Sequence, residues 1–275
     1  MIYENKSFTD YTTMPGLNQS KLGLLRKCPQ KFKHALTAPQ SDSDALAIGR
    51  AIHTAALQPE LFNSEFLCLP DIDRRTTKGR EEYAALCASN PDKTILKAAE
   101  FNKALEIATE IRANRHVMQL LEGAHIELSI QWDDKATGVQ CKARLDGYNE
   151  DIATVFDIKT TIDASPQGFA RKLYSYGYNR QAAWYLESLR AHHEAANHFV
   201  FIAVEKEPPY SIGLYRLSDE AIRLSRTENE ALLRKYAECE RTGLWPGYTD
   251  GIEDINIPQY GVSDMEEQYG TDESL

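Results

Sequence analysis

Two aspartates and a lysine are the residues of this sequence whose types and spacing best suit catalysis. Asp157 and Lys159 lie two residues apart in the segment FDIKTT, and Asp146 precedes them in the segment ARLDG. Side chains alternate across a strand, so Asp157 and Lys159 point to one face and Phe156 and Ile158 to the other. Neighbouring carboxylates repel each other unless a cation lies between them, which predicts a divalent metal. Oxygen ligands favour Mg²⁺, or alternatively Mn²⁺, and an adjacent ammonium suits phosphodiester hydrolysis.

A β-hairpin must bring these residues together. Residues 141–161 predict two strands joined by a polar turn at 149–151, and pairing of the strands would place Asp146 near Asp157. Residues 126–132 alternate between apolar and polar side chains, and they predict a third antiparallel strand. Glu127 would then lie on the face opposite Ile126, Leu128 and Ile130. It is either a further acidic metal ligand or an exposed strand residue.

Helices are predicted on both sides of this meander. The predicted helices are 18–35 with a break at Pro29, 44–57, 79–89, 94–121, a helical segment 166–192, and 218–241, and a second strand pair is predicted at 197–205 and 210–217. His53 lies in the second helix, as a core residue or as a metal ligand. Gln181 and Tyr185 are four residues apart and share a helical face. These elements predict an α/β fold, with a mixed sheet flanked by helices.

Basic residues are concentrated in two early segments. Residues 21–33 carry five cations, and the polar loop 71–81 contains Arg74 and Arg75. Either segment could contact phosphates, although a solvated helix face is the alternative for the first.

Composition limits the class of protein. The chain has 275 residues, 42% hydrophobic content and a formal net charge of −10. Residues 250–275 contain eight acidic residues and no Lys or Arg, so 33 acidic residues face 31 basic ones in the remainder. We therefore expect one domain over residues 1–250, with a helical part at 17–121 and a catalytic part at 125–245, and a flexible acidic tail at 251–275. Without a long apolar run or a signal peptide, the sequence predicts a cytoplasmic protein that does not associate with membranes.

The motifs occur in an order that resembles a known family. GRAIH, Glu127, ARLDG, DIKTT and QAAWY follow one another as in the PD-(D/E)XK nucleases of the RecB-like type. Within that family the chain is similar to the C-terminal nuclease domain of RecE, also called exonuclease VIII. The resemblance extends over most of residues 10–250 and implies a restriction-endonuclease-like core with a helical N-terminal part.

The resemblance also implies an activity and a site. It implies a Mg²⁺-dependent exonuclease that degrades linear double-stranded DNA from 5′ to 3′, together with a RecT-like single-strand annealing protein in phage-type recombination. Relatives of this type also imply a homo-oligomer, a ring-shaped trimer or tetramer. The implied roles are metal binding by His53, Glu127, Asp146, Asp157 and the Ile158 carbonyl, orientation of water by Lys159, and site support or DNA contact by Gln181 and Tyr185.

Three alternatives stay open at this point. The chain could be a RecB-like nuclease of different polarity, or a catalytically silent DNA-binding accessory protein of a phage. An iron–sulfur nuclease is a further alternative, because Cys28-Pro29 resembles the start of that class. That class needs three more cysteines near the C-terminus, and this chain has only Cys239 there. We therefore expect no iron–sulfur cluster.

Overall fold

The computed structural model describes residues 1–4, 6–37 and 44–270. The strands in this part of the chain are β1 Ile2–Tyr3, β2 Phe66–Cys68, β3 Thr94–Leu96, β4 His125–Asp133, β5 Gln140–Asn149, β6 Thr154–Thr161, β7 His198–Glu205 and β8 Ile212–Arg216. The helices are α1 Phe8–Thr13, α2 Gln19–Leu25, α3 Pro29–Thr37, α4 Asp44–Leu57, α5 Pro59–Glu65, α6 Thr77–Ser89, α7 Ala98–Ala113, α8 Arg115–Leu121, α9 Pro166–Ser175, α10 Tyr178–Arg190, α11 Asp219–Thr242 and α12 Gln259–Tyr269. None of these helices is long and apolar enough to span a membrane.

A six-stranded mixed sheet forms the centre of the fold, in the order β1-β4-β5-β6-β7-β8. Strands β4, β5 and β6 form the predicted antiparallel meander. Strand β7 runs parallel to β6, and β8 returns antiparallel to β7. A parallel pair needs a crossover connection, and here α9 and α10 provide it. The predicted mixed sheet flanked by helices is confirmed.

Each face of the sheet is covered by its own hydrophobic core. On one face, Leu145 and Phe201 pack with residues of α2, α10 and α11, including Trp184. On the other face, Phe156 and Ile158 pack with residues of α4 and α7. A sheet buried on both sides positions its strand ends rigidly, because each side chain is fixed by packing rather than by solvent contacts.

Strands β5 and β6 separate within the sheet. They pair only from Gly147 opposite Phe156 to Asn149 opposite Thr154. Farther along β5, the backbone of Leu17 pairs with Cys141 instead. Gly147 is the last residue of β5 that pairs with β6 before the gap. The Phe156 ring lies against it, and a Cβ atom at this position would be 1.9 Å from that ring. The gap opens between the two strands that carry the predicted catalytic aspartates.

One sequence prediction needs correction at the level of elements. Residues 94–121 do not form one helix, because β3 pairs in parallel with β2 and the Asn114 side chain then caps α8 as a separate helix. The segment 251–275 contains α12, which has no buried residue, and its flexibility stays a prediction. Residues 271–275 lie outside the described part of the chain.

Candidate active site

Asp146 and Asp157 lie where β5 and β6 separate. Oδ2 of Asp146 accepts a hydrogen bond from the backbone N–H of Ile158 at 2.8 Å, so this carboxylate bridges the gap between the strands. Oδ1 of Asp157 accepts a hydrogen bond from Nε2 of Gln181 at 3.1 Å. Gln181 also donates to the Tyr185 hydroxyl at 2.8 Å. The predicted face of α10 therefore supports Asp157 directly.

Lys159 is paired with Asp157 along the same strand face. Its Nζ lies 2.5 Å from Oδ2 of Asp157. Apart from this ion pair, Oδ2 is a buried oxygen without a hydrogen-bond partner among the described residues. Phe156 and Ile158 are buried on the opposite face, as the alternation predicts. The aspartate and the lysine thus share one polar surface that a hydrophobic core supports.

His53, Glu127 and Asp146 form a second group from three different elements. One ligand atom from each lies within 4.8 Å of the others. Nδ1 of His53 lies 3.1 Å from Oδ2 of Asp146, so α4 contacts β5 through this pair. An imidazole nitrogen with two carboxylate oxygens is a donor set that binds divalent cations.

The backbone at Glu127 departs from a regular strand. Its φ is 53°, in the left-handed region that a non-glycine residue rarely adopts. The alternation of β4 changes phase there, since Ile126 packs against the core of α4 and α7 while Leu128 and Ile130 belong to the opposite core. The expectation that Ile126, Leu128 and Ile130 share one face is therefore wrong. The distortion is what brings the Glu127 carboxylate into the group.

The charges of Asp157 and Lys159 depend on each other. Burial and the neighbouring Asp146 raise the pKa of Asp157 to about 6, although Lys159 acts in the opposite direction. Burial alone would lower the pKa of Lys159, but Asp157 and Asp146 raise it above its ordinary value. These two carboxylates favour the protonated form of Lys159. In that form it can donate hydrogen bonds and offset negative charge.

In the group of His53, Glu127 and Asp146, burial and neighbouring charges also shift the pKa values in opposite directions. Burial would lower the pKa of His53, but Asp146 beside it raises that pKa to about 9. Burial would raise the pKa of Asp146, but His53 holds it below its usual range. Burial and Asp146 raise the pKa of Glu127 against the effect of Arg144.

These residues fit a divalent metal. Within the described part of the chain, Oδ2 of Asp157 has no hydrogen-bond donor besides Lys159. The raised pKa values of Asp157 and Glu127 indicate carboxylates with too little positive charge nearby. A cation of charge +2 relieves that repulsion. Carboxylate oxygens are hard ligands that suit Mg²⁺ or Mn²⁺, and the backbone carbonyl of Ile158 remains a predicted ligand.

Several residues at the site were not assigned a role from the sequence. Nε of Arg144 lies 2.5 Å from Oε2 of Glu127. The ring of Tyr178 lies 4.8 Å from Nζ of Lys159. Tyr11 lies beside Arg144, with 6.0 Å between its ring and the guanidinium. Arg144 could have been noticed two residues before Asp146 on the same strand face, whereas no local pattern indicates Tyr11.

Arg74 and Arg75 are not brought to this site by any contact among the described residues. Arg74 lies over the Tyr83 ring at 4.4 Å, and Arg75 pairs with Asp73. Their contact with DNA stays a prediction.

A family model confirms the fold that these motifs indicate. It describes a PDDEXK-like domain of unknown function (DUF3799) and matches residues 18–257. This chain belongs to that PDDEXK-like family. The match includes His53, Glu127, both aspartates and Lys159, so the whole candidate site lies within the PDDEXK-like domain.

One solved structure shares the fold of this domain. The domain is similar to a candidate exonuclease from Eubacterium rectale, with a TM-score of 0.63, 14% identity, and coverage of 98% of this chain and 100% of the other. It also matches an alkaline exonuclease from Laribacter hongkongensis at 14% identity and a TM-score of 0.28, covering 70% of this chain and 91% of that one. The first likeness shows the fold, and the second is too low to add to it. No curated protein matches the chain.

Proposed function

We propose that this PDDEXK-like domain is a metal-dependent exodeoxyribonuclease that hydrolyses phosphodiester bonds of linear double-stranded DNA. The observation that carries the proposal is the arrangement of Asp146, Asp157 and Lys159 where β5 and β6 separate. Metal ligands and a buried ammonium placed side by side suit a reaction in which negative charge develops on phosphoryl oxygens.

Each residue has a role that its contacts support. Asp146, Asp157, Glu127 and His53 would hold the metal, which supplies positive charge to the phosphoryl group and makes water more acidic. Gln181 keeps the Asp157 carboxylate oriented through its 3.1 Å hydrogen bond, and Tyr185 in turn accepts a hydrogen bond from Gln181. These contacts fix the carboxylate before substrate arrives.

Lys159 would act as a charged donor in the reaction. The oxygen of water forms a bond to phosphorus while the bond from phosphorus to the ester oxygen breaks. Protonated Lys159 can hydrogen-bond to the attacking water or to a phosphoryl oxygen, and its positive charge offsets the charge that develops there. The attacking water loses a proton to solvent water, and the ester oxygen that leaves phosphorus takes up a proton from solvent, so the hydrolysis balances without proton transfer from Lys159.

The finer parts of the proposal rest on the resemblance to the RecE nuclease domain. They are digestion from 5′ to 3′, action beside a RecT-like annealing protein in phage-type recombination, and assembly into a ring-shaped homo-oligomer of three or four copies. A ring would keep duplex DNA enclosed, so that processive digestion would not need tight binding. This would make duplex binding compatible with an acidic chain.

Digestion of end-labelled linear duplex tests the proposal. We expect the wild-type protein with Mg²⁺ to release labelled nucleotides from 5′-labelled ends early and from 3′-labelled ends late. Asp157→Ala should reduce release by at least about a hundredfold, because removal of a carboxylate that touches the reacting centre costs roughly 3 kcal/mol or more. A circular duplex of the same sequence should remain intact.

Other outcomes separate the alternatives. If the wild-type and Asp157→Ala proteins both bind the duplex and neither releases nucleotides, the protein is a silent DNA-binding protein rather than an enzyme. Early release from 3′-labelled ends would keep the nuclease and overturn the polarity. Cleavage of the circular duplex would contradict an exonuclease.

A further inference from the structure

Three tyrosines alternate with other residues over positions 174–178, from the end of α9 to the start of α10, near Lys159. Tyr174 and Tyr176 are 59% and 66% exposed, and Tyr178 is half-buried. Exposure of large aromatic rings leaves apolar surface in water, and such surfaces mark binding sites when they cluster. Here the cluster adjoins the catalytic group of the proposed nuclease.

The rings form a continuous path from Lys159 towards solvent. The Tyr178 ring lies 4.8 Å from Nζ of Lys159, and its centroid is 5.6 Å from that of Tyr176, at an interplanar angle of 40°. Tyr178 also packs against the buried rings of Phe169 and Phe201. The Tyr178 ring is therefore held by the hydrophobic core, and the Tyr176 ring lies on the solvent side of it.

The backbone between the two rings is tightly constrained. Gly177 has a φ of 74°, and a Cβ atom at this position would lie 2.2 Å from the Arg180 guanidinium. Arg180 is itself buried and paired with Glu228. Since the turn has little freedom, the backbone position of Tyr176 relative to Lys159 is set before any ligand binds.

Basic residues lie beside this aromatic surface, although one of them, Arg26, also pairs with Glu228 at 2.9 Å. The Arg26 guanidinium donates from Nη2 to the Tyr174 hydroxyl at 2.6 Å and lies 5.2 Å from the centre of its ring. Lys172 donates to Oγ1 of Thr161, two residues beyond Lys159 on β6, at 2.7 Å. Arg171 is exposed on the same helix as Lys172. Exposed aromatic rings with neighbouring cations are the combination that binds single-stranded nucleic acid.

We propose that Tyr176, supported by Tyr178, is a stacking site for an unpaired nucleobase of the DNA strand whose phosphate lies at Lys159. The inference rests on the proposed nuclease function. The path from Nζ of Lys159 through the Tyr178 ring to the Tyr176 ring is on the order of 10 Å, so the site lies within reach of a base close to the scissile bond. Bases inside a duplex are already stacked on their neighbours. A base at a frayed end or in an overhang presents a free face to Tyr176, and the neighbouring basic residues are placed to contact its phosphates.

Binding measured without metal tests the site independently of cleavage. The probe is a fluorescein-labelled duplex with a short single-stranded overhang, titrated in EDTA and followed by fluorescence anisotropy. We expect Tyr176→Ala to weaken binding by about five- to a hundredfold, the usual effect of losing one stacked base, and Tyr176→Phe to bind as the wild type does. The slope of log Kd against log salt should be unchanged in both, because stacking releases no counterions. Arg171→Ala should lower that slope.

Crosslinking identifies the contact directly. With 5-iodouracil in the overhang, irradiation should join the base to Tyr176, as found by mass spectrometry of the digested protein. Tyr260→Ala, which removes an exposed tyrosine of α12, is the matched control and should leave affinity and crosslinking unchanged. Equal affinity of Tyr176→Ala and wild type, or an equal loss in Tyr176→Phe, would overturn the stacking site.

The two proposals can fail separately. A wild-type protein that digests DNA while Tyr176→Ala binds the overhang equally well removes only the stacking site. A wild-type protein that neither binds nor digests DNA removes the nuclease function and the stacking site together.

Discussion

Arg144 holds Glu127 in the position that a metal ligand needs. The φ of 53° at Glu127 costs on the order of 1–2 kcal/mol for a residue other than glycine, so it requires compensation from neighbouring contacts. Nε of Arg144 contacts the Glu127 carboxylate, while Nη1 donates to the Lys6 carbonyl at 2.6 Å. The guanidinium is therefore fixed at both ends and can orient the carboxylate.

Replacement of Arg144 should weaken metal binding without unfolding the protein. In Arg144→Met the Glu127 carboxylate loses its orienting partner, and we expect the Mg²⁺ concentration for half-maximal cleavage to rise about ten- to a hundredfold, as for other residues that orient a metal ligand. The measurement is cleavage rate against Mg²⁺ concentration, with circular dichroism to check the fold. Arg216→Met, an exposed arginine at the end of β8, should behave as the wild type. An unchanged Mg²⁺ dependence in Arg144→Met would show that Glu127 is positioned without it.

For single residues, the sequence predicted on which face of a strand or helix a side chain lies better than it predicted which residue that side chain contacts. Alternation along a strand is enough to place Asp157 and Lys159 on one face, and helical spacing is enough to place Gln181 near Tyr185. The ion pair of Glu127 with Arg144 is different, because it depends on a left-handed residue that no local pattern indicates. The hydrogen bond from Gln181 to Asp157 likewise joins residues that are distant in sequence.

A buried lysine attaches the first helix to the sheet. Nζ of Lys142 donates to the backbone carbonyls of Tyr11, Thr12 and Met14 at 2.9, 3.1 and 2.6 Å. Its burial lowers the pKa of Lys142, but three acceptors satisfy all three protons of the ammonium. Helix α1 has no buried residue of its own, so this lysine supplies much of what holds it beside Arg144.

Loss of Lys142 should release α1 from β5. In Lys142→Met the three carbonyls lose a charged donor, and we expect the free energy of unfolding to fall by about 1–3 kcal/mol. Urea denaturation followed by circular dichroism measures this loss, and limited proteolysis should cut near residues 6–14 sooner than in the wild type. Lys135→Met, at an exposed position before β5, is the matched control. Equal stability and equal cleavage in both variants would contradict an anchoring role for Lys142.

The order of the strands could be predicted from the sequence, but the gap between β5 and β6 could not. The meander β4, β5 and β6 follows from alternating segments joined by polar turns. The separation of β5 from β6 depends on the tertiary contact of Leu17 with Cys141 and on the fit of Gly147 against Phe156. The contact of Leu17 with Cys141 is not local in sequence, so the opening of the site had to come from the structure. Strand β3 was missed because residues 94–96 precede a long helical pattern and pair only with β2.

A metal at the site should stabilise the whole molecule, because its predicted ligands come from α4, β4, β5 and β6. At Mg²⁺ ten times its Kd, binding contributes about 1.4 kcal/mol, which corresponds to a rise of roughly 2–4 °C in Tm for a domain of this size. We expect this rise for the wild type in thermal unfolding, and little or none for Asp146→Asn. Thr109→Ala, which alters only the exposed face of α7, should keep the rise. A rise in Asp146→Asn equal to that of the wild type would place the metal elsewhere.

The acidic C-terminal segment 250–275 carries eight of the acidic residues, and its described residues 250–270 are almost all exposed. Before it, Trp245 and Tyr248 still pack on α3 through Lys33 and Lys31, with each ammonium about 5 Å from a ring. Beyond them, Ile252 and Ile255 are almost fully exposed. Removal of residues 250–275 should therefore leave Tm within about 2 °C, because almost no buried surface is lost.

The same truncation should strengthen DNA binding, because eight negative charges no longer repel the phosphates. We expect affinity for a linear duplex in EDTA to rise severalfold at low ionic strength and the difference to disappear as salt shortens the range of electrostatic interactions. A full-length variant with Asn or Gln in place of the eight acidic residues should show the same gain, which would assign the effect to charge rather than to bulk. Weaker binding after truncation would contradict this repulsion. It would show instead that the segment contacts DNA or a neighbouring copy of the chain.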